Sequence, residues 1–292
     1  VNEGDFVVAM TGATTGKVGI HTTKEKILLN QRVGKFTKFN NKVVPQYVYY
    51  YIRNNSTLFM DLAAGTARDN ISPDQILSVQ IPLPSLERQQ QIVESIDGFT
   101  QLAHHEEQAL KMLEKQVMFF VKEMGRGQPR VKLGDVCEIK YGDKNKFHET
   151  TELYPGIGGG VAPSSYVTNW NIDAYTPIVS RSGSAGHISR YPTRASAGSF
   201  AFVCITNNNI VNNDYLYFVL KNDEEYIKTL PEGTVQKNMN RDVLRGVDIQ
   251  LPPLAEQQTL QSDFEEIRHK HAKIAEYKKK AQDAIKRLIP GA

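Results

Sequence analysis

The stretch Ile81-Pro-Leu-Pro-Ser-Leu-Glu-Arg-Gln-Gln-Gln-Ile92 returns 168 residues later as Ile249-Gln-Leu-Pro-Pro-Leu-Ala-Glu-Gln-Gln-Thr-Leu260. In both copies an apolar run with the alternation of a closing strand meets proline and gives way to a helical pattern. The same offset persists outward without a gap. Tyr47-Val-Tyr-Tyr-Tyr-Ile52 answers to Tyr215-Leu-Tyr-Phe-Val-Leu220, and Gly65-Thr66 and Asn70 answer to Gly233-Thr234 and Asn238. Such a repeat reads as one module occurring twice. It predicts a pseudo-two-fold arrangement that binds two copies of something, or one two-part target. The second copy opens at Val131-Lys-Leu-Gly-Asp135, and its counterpart would fall before Val1. The first copy is therefore expected to lack its N-terminal part.

A length of 292 residues agrees with about two domains. Hydrophobic residues, at 40%, suffice for real cores. No apolar run approaches the ~20 residues of a membrane-spanning helix, and no secretory leader pattern is present, so a cytoplasmic protein away from membranes is expected. Cys137 and Cys204 form no CxxC and read as small core residues in a reducing compartment. The net charge of +3 favours no partner strongly, and Val131 to Gln250 holds twelve Lys/Arg against thirteen Asp/Glu. Any nucleic-acid surface must then come from local arrangement.

Short β-rich runs alternate with turns from Phe6 to Leu83. Phe6–Met10 reads as a strand, Thr11–Gly16 as a turn and Lys17–Ile20 as the return strand. The aromatic run Tyr47–Ile52 is expected to be a short helix covering a sheet, and Ser78–Leu83 a closing strand. Two heptad helices follow the proline signals. The first carries Ile92, Ile96, Phe99, Ala103, Leu110, Leu113, Val117, Phe120 and Met124, with Glu106 as a charged interruption, and stops at Gly125-Arg-Gly127. The second carries Leu260, Phe264, Ile267, His271, Ile274, Ala281, Ile285 and Leu288, interrupted by Lys278. Paired antiparallel, these seams align at a constant residue sum of 384 and set Glu106 opposite Lys278, where a paired charge can specify register.

Complete catalytic motifs are absent from the sequence. Thr11-Gly-Ala-Thr-Thr-Gly16-Lys17 superficially resembles a phosphate loop but has one residue too few between the glycines, and Val18 where magnesium binding needs Ser or Thr. Glu138-Ile-Lys140 and Glu276-Tyr-Lys278 have a nuclease-like E-x-K spacing without the acidic partner, and read as solvated charges. There is no Gly-rich turn for S-adenosylmethionine and no Asn-Pro-Pro-aromatic motif for a flipped adenine. The histidine pairs 104/105 and 269/271 fall on the long helices, and His269 and His271 point to different faces. What remains are turns and polar loops rich in Thr, Ser, Lys, Arg and Asn, the residue types that meet phosphates and base edges. They comprise Thr11, Thr14, Thr15 and Lys17 in one turn and Arg181, Ser182, Ser184 and His187 in its counterpart. Arg68 and Asn70 answer to Lys237, Asn238, Asn240 and Arg241, and Lys144 and Lys146 form a further loop.

The Pro-Leu-x-Glu-Gln-Gln element, a version of which occurs twice between a β-rich module and a long helix, resembles the specificity subunit of type I restriction-modification systems. So do the Val-Lys-Leu-Gly-Asp135 opening and the Gly-Thr-x-x-x-Asn loops. The resemblance implies an α/β (α+β) chain with two β-rich target-recognition domains separated by an antiparallel two-helix coiled coil. The segments are 1–84 (first recognition domain), 85–125 (central spacer helix), 126–252 (second recognition domain) and 253–290 (C-terminal spacer helix). It also implies a non-catalytic subunit that reads a bipartite double-stranded DNA target. Methyltransferase and restriction/translocase subunits are its implied partners, and S-adenosylmethionine, ATP and magnesium would belong to them. A non-DNA-binding assembly scaffold, or the recognition fragment of a fused restriction-modification enzyme, are the alternatives left open by the residues themselves.

Overall fold

The computed structural model describes residues 1–12, 14–63, 70–142, 148–233 and 237–289. Two units emerge, Val1–Glu106 with Lys273–Ala292, and Glu107–Ala272. In the first, β1 (Phe6–Ala9) pairs antiparallel with β2 (Val18–Ile20) on one side and β3 (Val33–Lys35) on the other. Helices α1 (Pro45–Asn54), α2 (Ser56–Ala63) and α3 (Pro73–Leu77) follow, and then α4 (Leu86–Gly125) begins. Pro45 opens α1, where its fixed φ suits the first turn. Helical spacing then drives Tyr47, Tyr50 and Tyr51 into a core with Phe6, Val8 and Phe59. Ser72 caps α3 through a reciprocal box with Gln75. The expected closing strand at Ser78–Leu83 does not form. A strand exists through its ladder, and among the described residues this run meets no pairing partner.

The second unit opens with the rest of α4 and continues through β4 (Arg130–Lys132), α5 (Leu133–Val136), β5 (Cys137–Tyr141), β6 (His148–Ile157), β7 (Ser165–Trp170) and β8 (Ile178–Ser180). After these come β9 (Ile188–Ser189), β10 (Ser196–Ala197), β11 (Ala201–Thr206), α6 (Asn213–Asn222), α7 (Glu224–Ile227) and α8 (Arg241–Arg245). The last are β12 (Asp248–Gln250), α9 (Leu254–Gln257) and α10 (Gln261–Leu288), whose part from Lys273 on belongs to the first unit. One sheet has the order β5-β11-β8-β9, another β10-β6-β7, and β12 pairs with β4. Here the closing run does find a partner, with Ile249 opposite Val131. Cys137 and Cys204, distant in sequence, lie on adjacent strands. The Cys137 hydrogen bond and burial push the Cys204 thiol well above its ordinary range, and both side chains are buried.

The long helices run antiparallel. In the first unit Ile92 and Ile96 of α4 share a core with Ala284 and Ile285 of α10 and with Ile289 just after it, and Glu106 lies 3.6 Å from Lys273. That ion pair is five residues from the expected Lys278, about 7.5 Å along a helix. In the second unit Leu110 and Val117 of α4 and Phe264 and Ile267 of α10 are buried. Phe120 is not: it is 39% exposed, while Val121 beside it is 2% exposed. A 3.6-residue helix drifts ~20° per heptad against a 3.5-residue template, and by the fourth heptad the inward position has moved on by one.

The repeat is held by one buried glutamine in each unit. The Gln89 carboxamide donates to Lys42 O (3.0 Å) and Pro84 O (2.8 Å) and accepts from Val44 N–H (2.8 Å). Gln257 donates to Ile210 O (3.2 Å) and Pro252 O (2.9 Å) and accepts from Asn212 N–H (2.8 Å). Every partner recurs at the 168-residue offset. Each carboxamide joins the loop before α1 or α6 to the proline that precedes the long helix, satisfying backbone groups the helices leave open. Tyr47 and Tyr215 reinforce it, donating to Pro82 O (2.9 Å) and Gln250 O (3.4 Å). Replacing Gln89 or Gln257 by Ala is expected to cost about 2–4 kcal/mol by orphaning these groups. Glu should rescue poorly, since a carboxylate cannot donate to the two carbonyls. Denaturant midpoints equal to the parent protein's would contradict this role.

Candidate nucleic-acid interface

The β1–β2 turn closes through Gly16 N–H to Ala9 O (2.8 Å) and Lys17 N–H to Thr14 O (3.0 Å). Gly12 takes φ +80°, a conformation other residues rarely adopt. The Thr15 hydroxyl turns inward to Gly12 O (2.6 Å) and is buried, whereas Thr14 and Lys17 are exposed and Thr11 half-exposed. Ile71 N–H donates to Met10 O (2.9 Å), drawing the segment that carries exposed Asn70 beside this turn. Arg68 lies outside the described residues.

The β8–β9 turn repeats that geometry with one residue fewer. Gly186 N–H donates to Ser180 O (2.8 Å) and His187 N–H to Ser184 O (3.0 Å), and Gly183 matches Gly12 with φ +70°. Met239 N–H donates to Arg181 O (2.7 Å), the counterpart of the Ile71 bond. The arrangement brings Arg181 and half-exposed Ser184 to the segment carrying exposed Lys237, Asn238 and Arg241. The Arg181 and Arg241 guanidinium groups both lie over the Tyr141 ring, 5.4 and 5.7 Å from its centroid. Lys144 and Lys146 lie outside the described residues.

Three expected reading residues of this unit are buried or bound to the fold itself. Ser182 is buried. His187 is buried with its Nδ1 2.6 Å from the Glu224 carboxylate. The Asn240 side chain accepts from Asp242 N–H (2.8 Å) as the N-cap of α8, the role Ser72 plays for α3. Polar side chains near a turn compete for its own backbone, so composition alone does not separate readers from braces. Sequence reasoning also missed exposed aromatic groups: Tyr141 beneath the two arginines, and Phe200, whose carbonyl accepts from Arg181 N–H (2.8 Å). Trp170, half-buried, is stacked on His148 (4.3 Å) with Arg194 4.0 Å over its ring. Aromatic residues in strand patterns read as core, and no local signal marks Tyr141 and Phe200 as outward-facing. Lys140 and Glu138 form a surface ion pair (2.7 Å). Among the described residues no group of three or more His, Cys, Asp or Glu could hold a metal ion, and no helix is long and apolar enough to cross a membrane.

Behind the turn lies a buried charge network. Asp214 in the first turn of α6 receives Arg190 (2.6 Å) and also Arg268 from α10, and the Arg190 guanidinium sits 4.1 Å over the Tyr217 ring. Burial would raise the Glu224 carboxyl, but hydrogen bonds from Lys221, His187 and Lys228 outweigh it and hold it at about 2. His271 is held down to about 4 by burial and then by the charge of Arg190. Below its ordinary 6.5 the unfolded chain protonates His271 while the folded one resists until about 4, so stability falls as pH drops through that window. The Glu224 contribution persists above its ordinary 4.5 and is lost as pH falls towards about 2. His271→Gln should flatten the loss of stability between pH 6.5 and 4, as read from denaturation midpoints at stepped pH. An unchanged slope would contradict the neutral state of His271.

A family model described as the type I restriction modification DNA specificity domain matches this chain twice, over residues 1–115 and 129–280. A Methanocaldococcus jannaschii protein assigned as the type I restriction enzyme MjaX specificity subunit is 23% identical over 309 residues, covering 93% of this chain and 72% of that protein. A Haemophilus influenzae protein assigned as the type I restriction enzyme specificity subunit S.HindORF215P is 25% identical over 300 residues, covering 89% and 74%. The crystal structure of the type I restriction-modification system S subunit from M. genitalium aligns with a TM-score of 0.56 at 15% identity, covering 100% of this chain and 84% of that one. That likeness is one of fold.

Proposed function

The chain belongs to the type I restriction modification DNA specificity domain family, a non-catalytic subunit, and from that premise we propose that its two turn-and-segment edges each read one half of a split double-stranded DNA target. The observation that carries the reading is the same backbone clasp in both units. Met10 O and Arg181 O each accept from the segment ahead of a capped short helix. The clasp holds Thr14, Lys17 and Asn70 together in one unit and Arg181, Lys237, Asn238 and Arg241 together in the other. Arginine can meet guanine bidentately in the major groove, and lysine meets phosphate. Tyr141 pre-orients both arginines, reducing the entropy lost on binding.

In this reading the antiparallel helices set the spacer between half-sites and dock methyltransferase subunits, which restriction/translocase subunits join. S-adenosylmethionine, ATP and magnesium act in those partners. The test uses the chain assembled with the methyltransferase subunits of its own system, on a duplex whose target comes from methylation mapping of the host genome. Arg181→Ala and Arg241→Ala are expected to cost about 1–3 kcal/mol each and to relax specificity at one position if they read bases. Lys17→Ala should weaken all sequences alike and shallow the salt dependence. Unchanged affinity and methylation pattern in an Arg181/Arg241 double variant would refute this interface. A complex that binds its methyltransferase but no duplex selectively would favour an assembly scaffold.

A further inference from the structure

The β6–β7 hairpin ends in the tip Gly158–Ser164, and this tip is built against the β8–β9 turn. Ser184 N–H donates to Gly159 O (2.7 Å), and Ser164 N–H folds the tip back on Gly156 O (2.9 Å). The contact leaves no room for side chains between the two backbones. A Cβ on Gly159 would stand 2.3 Å from Ser182 O, and one on Gly183 would stand 2.7 Å from Gly159 O. The turn that carries Arg181 is thus braced by the hairpin tip at Ser184 and by Met239 at Arg181. Two residues beyond Gly159, Val161 is 62% exposed.

Resting on the DNA-reading function above, we propose that Val161 is a further specificity-determining residue, reading the C5-methyl group of a thymine in the half-site of the second unit. A valine side chain neither donates nor accepts a hydrogen bond. Among the base-edge groups of the major groove, the thymine methyl is the one apolar feature it can distinguish. The glycine contact fixes where the tip sits relative to the arginine-bearing turn, so the methyl contact is coupled to a defined register on the duplex.

The experiment uses the chain with its methyltransferase subunits and the mapped target duplex. Each thymine of the second half-site is replaced in turn by deoxyuridine, which removes the methyl alone. At one position the parent complex should lose about fourfold in affinity, the worth of one buried methyl. Val161→Ala should bind thymine and deoxyuridine there equally, with its affinity for the rest of the site and its melting temperature retained. Val161→Ser, similar in size to Ala but polar, should behave likewise. The inference is overturned if Val161→Ala keeps the parent's discrimination at every thymine, if no thymine substitution affects the parent, or if the half-site contains no thymine. Those outcomes leave selective duplex binding intact. Loss of selective binding by the parent complex itself would instead overturn the DNA-reading function, and this inference with it.

Discussion

A buried carboxamide fixes the frame of each unit. Gln89 and Gln257 offer one acceptor and two donors from a single uncharged group, and each of those three capacities is used. No other side chain of similar length combines them: glutamate lacks the donors, and lysine lacks the acceptor and brings a charge. The bonds join a loop that neither helix nor strand satisfies to the proline that ends one module and starts a long helix. The aromatic helix that fills the core begins at that loop, so its buried face depends on a group more than 40 residues downstream in the sequence.

The two units share this frame but fill it differently. In the second, buried Asp214 and Arg190 form an ionic cluster with half-exposed Arg268 against Tyr175, Tyr217 and Phe218. In the first, Tyr50 donates to Asp97 on α4, and burial together with that carboxylate raises the phenol's pKa. Buried ion pairs add little net stability over apolar packing, yet removing one partner is costly. Their effect is therefore on precision of placement more than on depth of stability. In the second unit the elements so placed include β9, which carries the far end of the β8–β9 turn.

Much of this frame is legible in the sequence because it is local and repeated. The switch from alternation to heptad spacing after Pro84 and Pro252 locates α4 and α10, and the glycine-flanked threonines locate the β1–β2 turn. What escapes depends on neighbours brought from elsewhere. Ser78–Leu83 has a strand's pattern but no ladder among the described residues, while Asp248–Gln250, its repeat, finds Arg130–Lys132. His187 and Ser182 have the chemistry of readers, and only the tertiary structure shows both buried, His187 against Glu224. Tyr141 and Phe200 carry the pattern of core residues and are exposed. Phe120 fell out of the seam because period differences accumulate along a long helix.

Trp170 is the only tryptophan in the chain, and it stacks with the His148 ring and meets the Arg194 guanidinium on the β6–β7 pair. Indole emission from this protein therefore has a single origin, within Glu107–Ala272. Its intensity and wavelength follow the stack and the water around it. Unfolding of the other unit is silent in that channel and must be followed through its tyrosines or its helix content. A fluorescence transition and a circular dichroism transition that fail to coincide would thus resolve the two halves of one chain without any label.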